Sequence, residues 1–404
     1  MTIRTISNLT TAINSFVASN SDSIFIITAS INFEGHTLTM PAHSLLVFEN
    51  GGKLYGGDFI GHKAINKFVD VQWFASPSGA NAKSLEIAIS LNDNILISGT
   101  TTFSSTFHIT RGGIHIFGRH PQEAVLSMPG TVDHFLMIDP YQSYITIENI
   151  TIRGYQYNGV GLDPRKMDDC HLIYACGYNT DLRFKGCILD SGTSGIFVMP
   201  NSQFVTVDSC VFRNMVFIPD QKAGSYGVVF HRTSDGKGTN HIIVRNCIFE
   251  KTVVRHAVYI QSSNDVLIKD NIIYGTTEFN DGLIDKYYQY ATYGGEPLTT
   301  AEIASFDVTK HMTRYDSAIN YHGCTNVRIV NNYFEQGITV LNGTVTPTSN
   351  PGVTLKGKFY LLKDNVIKSF CIPPYNSHPS LYNWDSIDNY RMIDNVEIDI
   401  TFSS

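Results

Sequence analysis

Three residues with titratable side chains and one arginine form the candidate catalytic set of this 404-residue chain: His231, Tyr259, His322 and Arg255. A histidine or a tyrosine can act as the base that removes the proton next to a uronic carboxylate, and an arginine can stabilise the negative charge that then develops. A polysaccharide lyase requires this combination, and a sugar epimerase would use the same residues. Each residue taken alone is also compatible with an ordinary surface position.

A second set of candidates lies in the stretch 276–316, which is too long for a plain turn. Aromatic faces stack on the apolar faces of sugar rings, and carboxylates form hydrogen bonds with hydroxyl groups. The candidate substrate-binding residues are Asp281, Asp285, Tyr287, Tyr288, Tyr290, Arg314 and Asp316. The alternative interpretation is that the tyrosines pack this loop onto the rest of the fold.

Carboxylates support a different reaction. A glycoside hydrolase needs two of them, separated by about 5–5.5 Å in retaining enzymes or about 6.5–9.5 Å in inverting enzymes. The candidates are Asp235, Asp281, Asp285 and Asp316. The sequence leaves their separation open, so elimination and hydrolysis both remain hypotheses.

An internal repeat indicates the elements that position these residues. It has apolar residues at its first, third and eighth positions and an anchor, Cys or Asn except in the earliest copy, at its sixth. The anchors are Ile150, Cys187, Cys210, Cys247, Asn271, Asn332 and Asn365, and the shortest steps between them are 23 and 24 residues. Each copy is typical of strand, tight bend and strand, with no room for a crossover helix. The sequence therefore predicts an all-β, single-stranded right-handed parallel β-helix whose anchors stack in an interior column.

A second strand follows most copies of the repeat, at 195–199, 227–231, 257–261 and 318–322. Alternation along these strands places one set of side chains outward. The outward residues are Phe197, Val229, Tyr259 and Asn320, followed two positions later by Met199, His231, Gln261 and His322. Stacked strands would therefore bring His231, Tyr259 and His322 onto one surface strip.

Three parts are predicted along the chain. Residues 1–74 form an N-terminal β-rich cap, because the open end of a β-helix must be covered to prevent edge-to-edge pairing. Residues 75–370 form the parallel β-helix, with a short helix at 81–91 and long insertions near 154–170, 214–225 and 276–316. Residues 371–404 form a C-terminal covering segment and a last strand.

The opening of the chain resembles a known family. Short strands at 37–41 and 46–48, the glycine-rich stretch 51–57 and the Val-Gln-Trp-Phe segment at 71–74 resemble the start of pectate-lyase-like right-handed parallel β-helix proteins of the phage tailspike type. In that family a D-D-T-x-A-I-x-x-A-I helix typically follows; residues 80–89 keep its apolar spacing and lack the paired aspartates.

That resemblance implies a tailspike-like depolymerase, which binds and degrades a polysaccharide and assembles as a homotrimer. It assigns no catalytic residues. The alternative is a non-catalytic structural or adhesion module of a virion or cell surface.

Charge and composition exclude several partners. The chain has 29 basic and 36 acidic residues, a net charge of −7, with no run of Lys or Arg, so we expect neither nucleic acid nor an anionic lipid surface as a partner. No apolar run reaches about 18 residues, so no membrane insertion is expected. No signal peptide is visible. The expected location is extracellular or virion-associated, which fits a virion protein that leaves its host by lysis.

Cysteines and short motifs predict neither a metal site nor a cofactor. The seven cysteines are odd in number and include no C-x-x-C pair, which argues against a disulfide scaffold and a zinc site. No phosphate-binding or dinucleotide-binding glycine motif is convincing.

Overall fold

Parallel strands make up most of the described residues of the computed structural model. The described residues are 1–41, 43–60, 66–130, 132–155, 170–215, 217–218, 223–224, 226–250, 256–274, 296–297, 299–305, 319–334, 338–339, 344–345, 355–371 and 387–401. The helices among them are α1 (Leu9–Ala12), α2 (Asn14–Ala18), the 3-10 helix Val71–Phe74, α3 (Ala82–Leu91) and α4 (Thr300–Ser305). No described helix combines the length and the apolar character needed to cross a membrane.

The strands follow one another closely along the chain. The first twenty are β1 (Thr2–Ile6), β2 (Ser23–Ile27), β3 (Ser30–Asn32), β4 (Thr37–Thr39), β5 (Leu45–Phe48), β6 (Lys53–Tyr55), β7 (Asp58–Ile60), β8 (Val69–Asp70), β9 (Ala80–Asn81), β10 (Asn94–Ile97), β11 (Thr100–Thr102), β12 (Phe107–Ile109), β13 (Ile114–Gly118), β14 (Val125–Ser127), β15 (His134–Ile138), β16 (Ser143–Glu148), β17 (Thr151–Arg153), β18 (His171–Ala175), β19 (Thr180–Lys185) and β20 (Ile188–Gly192). The others are β21 (Ser194–Val198), β22 (Gln203–Asp208), β23 (Val211–Met215), β24 (Phe217–Ile218), β25 (Ala223–Gly224), β26 (Tyr226–Phe230), β27 (Asn240–Arg245), β28 (Ile248–Phe249), β29 (His256–Gln261), β30 (Asn264–Lys269), β31 (Ile272–Ile273), β32 (Ile319–His322), β33 (Thr325–Val330), β34 (Tyr333–Phe334), β35 (Ile338–Thr339), β36 (Thr344–Val345), β37 (Leu355–Lys363), β38 (Val366–Cys371), β39 (Ile387–Ile393) and β40 (Val396–Thr401).

Two compact units contain these elements. The first unit comprises Met1–Ser104, Gly113–Ser127 and Ile145–Thr151. The second comprises Ser105–Gly112, Met128–Tyr144 and Ile152–Ser404.

The first unit is wound from parallel strands from its beginning. Ile24 lies opposite Leu45 and Thr37 opposite Asp58, so the chain returns to an equivalent position after 21 residues. Further along, β8, β10, β13 and β16 pair in that order, and β9, β11 and β14 form a second series. The predicted helix is present as α3, which begins with a capping box between Asn81 and Ser84. The boundaries of an N-terminal cap stay a prediction.

The second unit contains three parallel sheets. Sheet A runs β19-β22-β27-β30-β33-β37-β39, sheet B runs β20-β23-β28-β31-β34-β38-β40, and sheet C runs β12-β15-β18-β21-β26-β29-β32-β35. In sheet A, Val205 lies opposite Ile242, which lies opposite Val266, and all three are fully buried. The predicted all-β parallel β-helix is therefore confirmed.

The anchor column is present between sheets A and B. The backbone N–H of Ile248 donates to the carbonyl oxygen of Cys210 at 2.9 Å, and that of Ile272 donates to Cys247 at 2.9 Å, so the two cysteines lie on adjacent rungs. Burial raises the pKa of the Cys210 thiol well above its usual range, so this thiol stays protonated and acts as packing. Residues 387–401 add one further rung, anchored by Asn395.

Three connections of the second unit join the same two sheets. Residues 216–225 lie between β23 and β26, residues 250–255 between β28 and β29, and residues 274–318 between β31 and β32. Each of these passes from sheet B to sheet C. The chain therefore keeps its rung spacing in both sheets while the lengths of these connections differ.

Candidate functional site

Sheet C carries a row of ring side chains on consecutive rungs. His134 lies opposite His171, and further rungs place Tyr226 opposite His256. Tyr174 lies opposite Phe197, three positions further along the strands. The aromatic–imidazole strip is defined as His134, His171, Tyr174, Phe197, Tyr226, His231, His256 and Tyr259.

One half of the strip is a continuous stack of rings. The centroids of His134 and Tyr174 are 4.0 Å apart with planes at 9°. His171 lies 4.4 Å from Phe197, and Phe197 lies 5.7 Å from His231. These separations are close to the spacing between neighbouring strands, about 4.8 Å, so each rung contributes a ring to one surface. Because the ring faces turn toward their neighbours along the stack, the surface offers mainly ring edges to a ligand.

The other half contains Tyr226, His256 and Tyr259. The rings of His256 and Tyr259 are 5.3 Å apart with planes at 8°, and Tyr226 lies 5.6 Å from Tyr259. The Tyr259 hydroxyl oxygen accepts a hydrogen bond from Nε2 of Gln261 at 2.7 Å. Val229, on the rung between Phe197 and Tyr259, is only 1% exposed. It therefore interrupts the exposed row at that rung.

His231 has the properties of a neutral base. Its Nδ1 atom lies 2.9 Å from the backbone carbonyl oxygen of Arg232. A carbonyl oxygen only accepts, so Nδ1 must carry the proton and Nε2 keeps its lone pair. Burial of the half-exposed ring lowers its pKa, so the imidazole is neutral near pH 7.

His171 is neutral as well. The ring is 7% exposed, and burial, helped by the neighbouring His134, lowers its pKa to about 3. A neutral imidazole stacks on Tyr174 and Phe197 without the cost of burying a charge. His171 therefore acts as part of the ring surface.

The structure describes only some of the predicted catalytic and substrate-binding residues. The structure places His231 and Tyr259 on the outward face of sheet C. The backbone of His322 lies opposite Gln261 on the next rung, and its side chain is outside the described residues. The other predicted site residues lie outside the described part of the chain: Arg255, Asp281, Asp285, Tyr287, Tyr288, Tyr290, Arg314 and Asp316.

Asp235, a candidate for hydrolysis, lies in a tight loop with its own partners. Its carboxylate accepts a hydrogen bond from Thr233 and pairs with Nζ of Lys237 at 3.1 Å. The hydrogen bond from Thr233 and the pairing with Lys237 lower the pKa of Asp235. An ionised carboxylate of this kind is unsuited to act as a general acid.

Sequence reasoning missed His134, His171, Tyr174 and Tyr226 as members of the strip. A signal for them exists, because a ring residue occurs three positions before the outward residue in several of these strands. It appears as His171 with Tyr174 and as His256 with Tyr259.

Within the described ranges, no group of three or more His, Cys, Asp or Glu side chains lies close enough to hold a metal ion.

Comparison with solved structures gives the same architecture. The surface protein and adhesin PfbA of Streptococcus pneumoniae matches with a TM-score of 0.54 and 10% identity, over 83% of this chain and 86% of that one. This chain has the parallel β-helix fold. Since the identity is low, the likeness concerns the β-helix fold alone.

Two other β-helix matches are more distant. The catalytic unit of a GH87 α-1,3-glucanase from Streptomyces thermodiastaticus matches with a TM-score of 0.42 and 12% identity, over 84% of this chain and 70% of that one. The enzymatically active domain of tailspike protein 2 from bacteriophage CBA120 matches with a TM-score of 0.41 and 9% identity, over 83% of this chain and 46% of that one. No protein-family model and no curated protein matches the sequence.

Proposed function

We propose that this chain binds a polysaccharide along the aromatic–imidazole strip and cleaves it by elimination. The observation that carries the proposal is the row of rings on successive rungs, with the neutral imidazole of His231 among them. The row of rings can pack against the apolar parts of a sugar chain, and a rigid sheet keeps them in place at little cost in conformational entropy.

The proposed chemistry starts at Nε2 of His231. This atom removes the proton from the sugar carbon next to the uronate carboxylate. The electron pair of that C–H bond forms a carbon–carbon double bond as the glycosidic C–O bond breaks. The leaving oxygen takes up a proton, for which the Tyr259 hydroxyl is the candidate donor. Arg255 would stabilise the enolate-like charge, and His322 would be the second imidazole on the next rung.

Further contacts with the substrate are assigned to the connection between β31 and β32. Its carboxylates and tyrosines, Asp281, Asp285, Tyr287, Tyr288 and Tyr290, have the chemistry to bind hydroxyl groups and sugar faces. Arg314 and Asp316, at the end of the same connection, have the chemistry to contact the charged groups of the substrate.

The test is a panel of uronate-containing and neutral polysaccharides, assayed for new reducing ends and for the ultraviolet absorbance of unsaturated products. Elimination gives both signals, and hydrolysis gives reducing ends alone. His231→Gln is expected to lower the rate by about a hundredfold or more. The matched control is His115→Gln, in the first unit, where the ring pairs with Glu148 at 3.1 Å. Equal rates for the two variants would contradict the assignment of His231.

A second candidate function is adhesion without cleavage. It is favoured by the stack of rings from His134 to His231, which suffices for binding, and by the fold match to a surface adhesin. In that case the panel gives binding without reducing ends or absorbance, and Tyr174→Ala weakens the binding.

Cleavage and adhesion would both act on polysaccharide outside a cell, so we assign an extracellular or virion-associated location. The resemblance to tailspikes further suggests a homotrimer. Light scattering of the purified chain tests the trimer, and a monomeric mass at the highest soluble concentration would exclude it.

A further inference from the structure

A groove of about 670 Å³ crosses the outward face of sheet A, away from the aromatic–imidazole strip on sheet C. This volume lies in the range of about 300–1,000 Å³ that is typical of ligand sites. The floor is a row of half-buried side chains on three rungs, because Thr206 lies opposite Ile243 and Ile243 opposite Leu267.

An arginine lies at each end of this floor. Arg183 lies opposite Thr206, and Arg328 lies opposite Leu267. The row from Arg183 to Arg328 spans five rungs, or about 19 Å at the usual strand spacing. At these ends Arg183 Nε donates to Asp181 at 2.8 Å, and Arg328 Nη2 lies 3.5 Å from Asp265. The groove is therefore apolar in the middle and has a paired arginine at each end, whose remaining N–H groups are available to a ligand.

One rim of the groove is a column of residues with left-handed backbone. Phe204, His241 and Asp265 have φ of 56°, 54° and 59° at the same position of three consecutive rungs. The Phe204 and His241 rings stack at 4.5 Å with planes at 4°, and Nδ1 of His241 lies 2.9 Å from Asp265. The flanking rungs have the same backbone at Asp181 and Asn326, so positive φ is a regular feature of this bend.

One of the most exposed aromatic side chains, Phe204, lines this groove. Among the described residues, the aromatic side chains that are largely exposed are Tyr141, Tyr144, Tyr178 and Phe204. All four have positive φ, between 56° and 67°. Tyr141 and Tyr178 stack at 5.1 Å on the bends before β16 and β19. The exposed ring of Phe204 is therefore available to contact a ligand in the groove.

The other rim holds a fixed guanidinium group. Nε and Nη2 of Arg245 donate to the same oxygen of Asp208 at 3.0 and 2.7 Å. Burial opposes ionisation of Asp208, but hydrogen bonds from Asn246, Arg245 and Ser209 outweigh it and lower the pKa of the carboxyl. Arg245 retains further N–H donors, and its position is set by Asp208.

The charges identify the class of ligand. The basic lining residues are Arg183, Lys185, Arg245 and Arg328, and the acidic ones are Asp181, Asp208 and Asp265. Each of the three arginines pairs with one of the three aspartates, and Lys185 gives the lining an excess of one positive charge, although the whole chain carries −7. Guanidinium groups bind carboxylates through paired N–H donors, and the apolar floor and the Phe204 ring suit sugar faces.

We propose that this groove is a second saccharide site, which binds an acidic oligosaccharide built of uronate sugars along the row from Arg183 to Arg328. The site lies on another sheet from the strip and does not depend on cleavage there. Its role is to hold a polyanionic chain while the strip is free to act on another part of it.

The test uses the full chain and isothermal titration calorimetry with oligogalacturonate, alginate oligomers and, as the neutral probe, cellohexaose. Phe204→Gly and Arg183→Gln remove the ring and one terminal charge. Each is expected to weaken binding of the uronate oligomers about five- to tenfold. Phe204→Gly is also expected to keep or raise the melting temperature, because glycine adopts positive φ without strain.

Strip variants separate this proposal from the proposed function. His231→Gln combined with Tyr259→Phe should leave uronate binding at the groove within about twofold, even where cleavage is abolished. Three outcomes overturn the proposal. One is unchanged uronate affinity in both groove variants; another is no binding of any uronate oligomer to the unaltered chain. The third is sedimentation showing that Phe204→Gly separates copies of the chain without changing sugar affinity, since the groove would then be an interface between copies.

Discussion

The side-chain amide of Asn271 donates a hydrogen bond to the side-chain oxygen of Asn332 at 2.9 Å, although 61 residues separate them. Asn332 donates in the same way to Asn365 at 3.0 Å, and Asn365 donates to Asn395 at 2.9 Å. Each amide also donates to a backbone carbonyl, as Asn332 does to Ile268 at 3.0 Å. The ladder thus joins consecutive rungs whatever length of chain lies between them.

Asn332→Ala should destabilise the fold strongly. Asn332 is 2% exposed, and its loss leaves the backbone N–H of Asn271 without the oxygen that accepts from it at 3.0 Å. Leaving buried donors without acceptors costs on the order of 2–4 kcal/mol. Urea denaturation followed by circular dichroism measures this. The control is Asn331→Gly, since Asn331 is exposed and has φ of 54°. Equal losses in the two variants would show that the ladder contributes little.

Gly227→Ala should destabilise the second unit. A methyl group at this position would overlap the ring of Phe249 and the carbonyl oxygen of Ala257. The Phe249 ring cannot yield easily, because it stacks on Phe212 at 4.7 Å in the core. Overpacking of this kind costs about 1–3 kcal/mol, which the shift in the denaturation midpoint measures. Gly130→Ala is the matched control, as no atom lies within 4 Å of its added carbon. A midpoint shift as large in the control would count against this explanation.

Acid should weaken the fold through His171. Its pKa is lowered to about 3 in the folded chain, so only the unfolded chain takes up this proton as the pH falls below about 6.5. The contribution of neutral His171 to the free energy of unfolding is complete above about pH 6.5 and is lost progressively toward pH 3. By pH 4 the loss is on the order of 3 kcal/mol. His171→Phe should therefore narrow the difference in stability between pH 7 and pH 4. Tyr174→Phe changes the same strip and should keep the full difference; equal narrowing in both would refute this account.

The pH profile of kcat/KM for the proposed elimination should fall on its acid side as His231 becomes protonated. Burial lowers the pKa of His231, so the neutral base persists to more acidic pH than a free histidine, and kcat/KM should fall only below about pH 6.5. The charge of Arg232 contributes to the lowered pKa. Arg232→Gln should therefore move the limb toward higher pH. A limb that does not respond to Arg232→Gln would place the titrating base elsewhere.

The repeat made the fold predictable because its apolar and anchor positions are the ones that are buried on each rung. Cys210 and Cys247 occupy equivalent positions in the sequence pattern and adjacent rungs in the structure. The rung anchored by Asn395 was less visible, because residues 372–386 separate it from the preceding strands and charged residues interrupt its apolar pattern.

The site was only partly predictable, for a physical reason. Alternation identifies which side chains point outward, as it did for Tyr259, but exposure depends on what covers them. Val229 has the outward register and is nevertheless buried. The contact between the His171 and Phe197 rings depends on the register of neighbouring rungs, which are joined by connections of unequal length. The repeat pattern alone does not show which of these contacts form a site.

The passage of these three connections (216–225, 250–255 and 274–318) from sheet B to sheet C has an evolutionary consequence. Insertions there, such as residues 274–318, leave the asparagine ladder and the register of sheet A unchanged. Recognition can therefore diversify by exchange of these segments as modules, and related chains could acquire new glycan preferences in few steps without first losing the ability to fold.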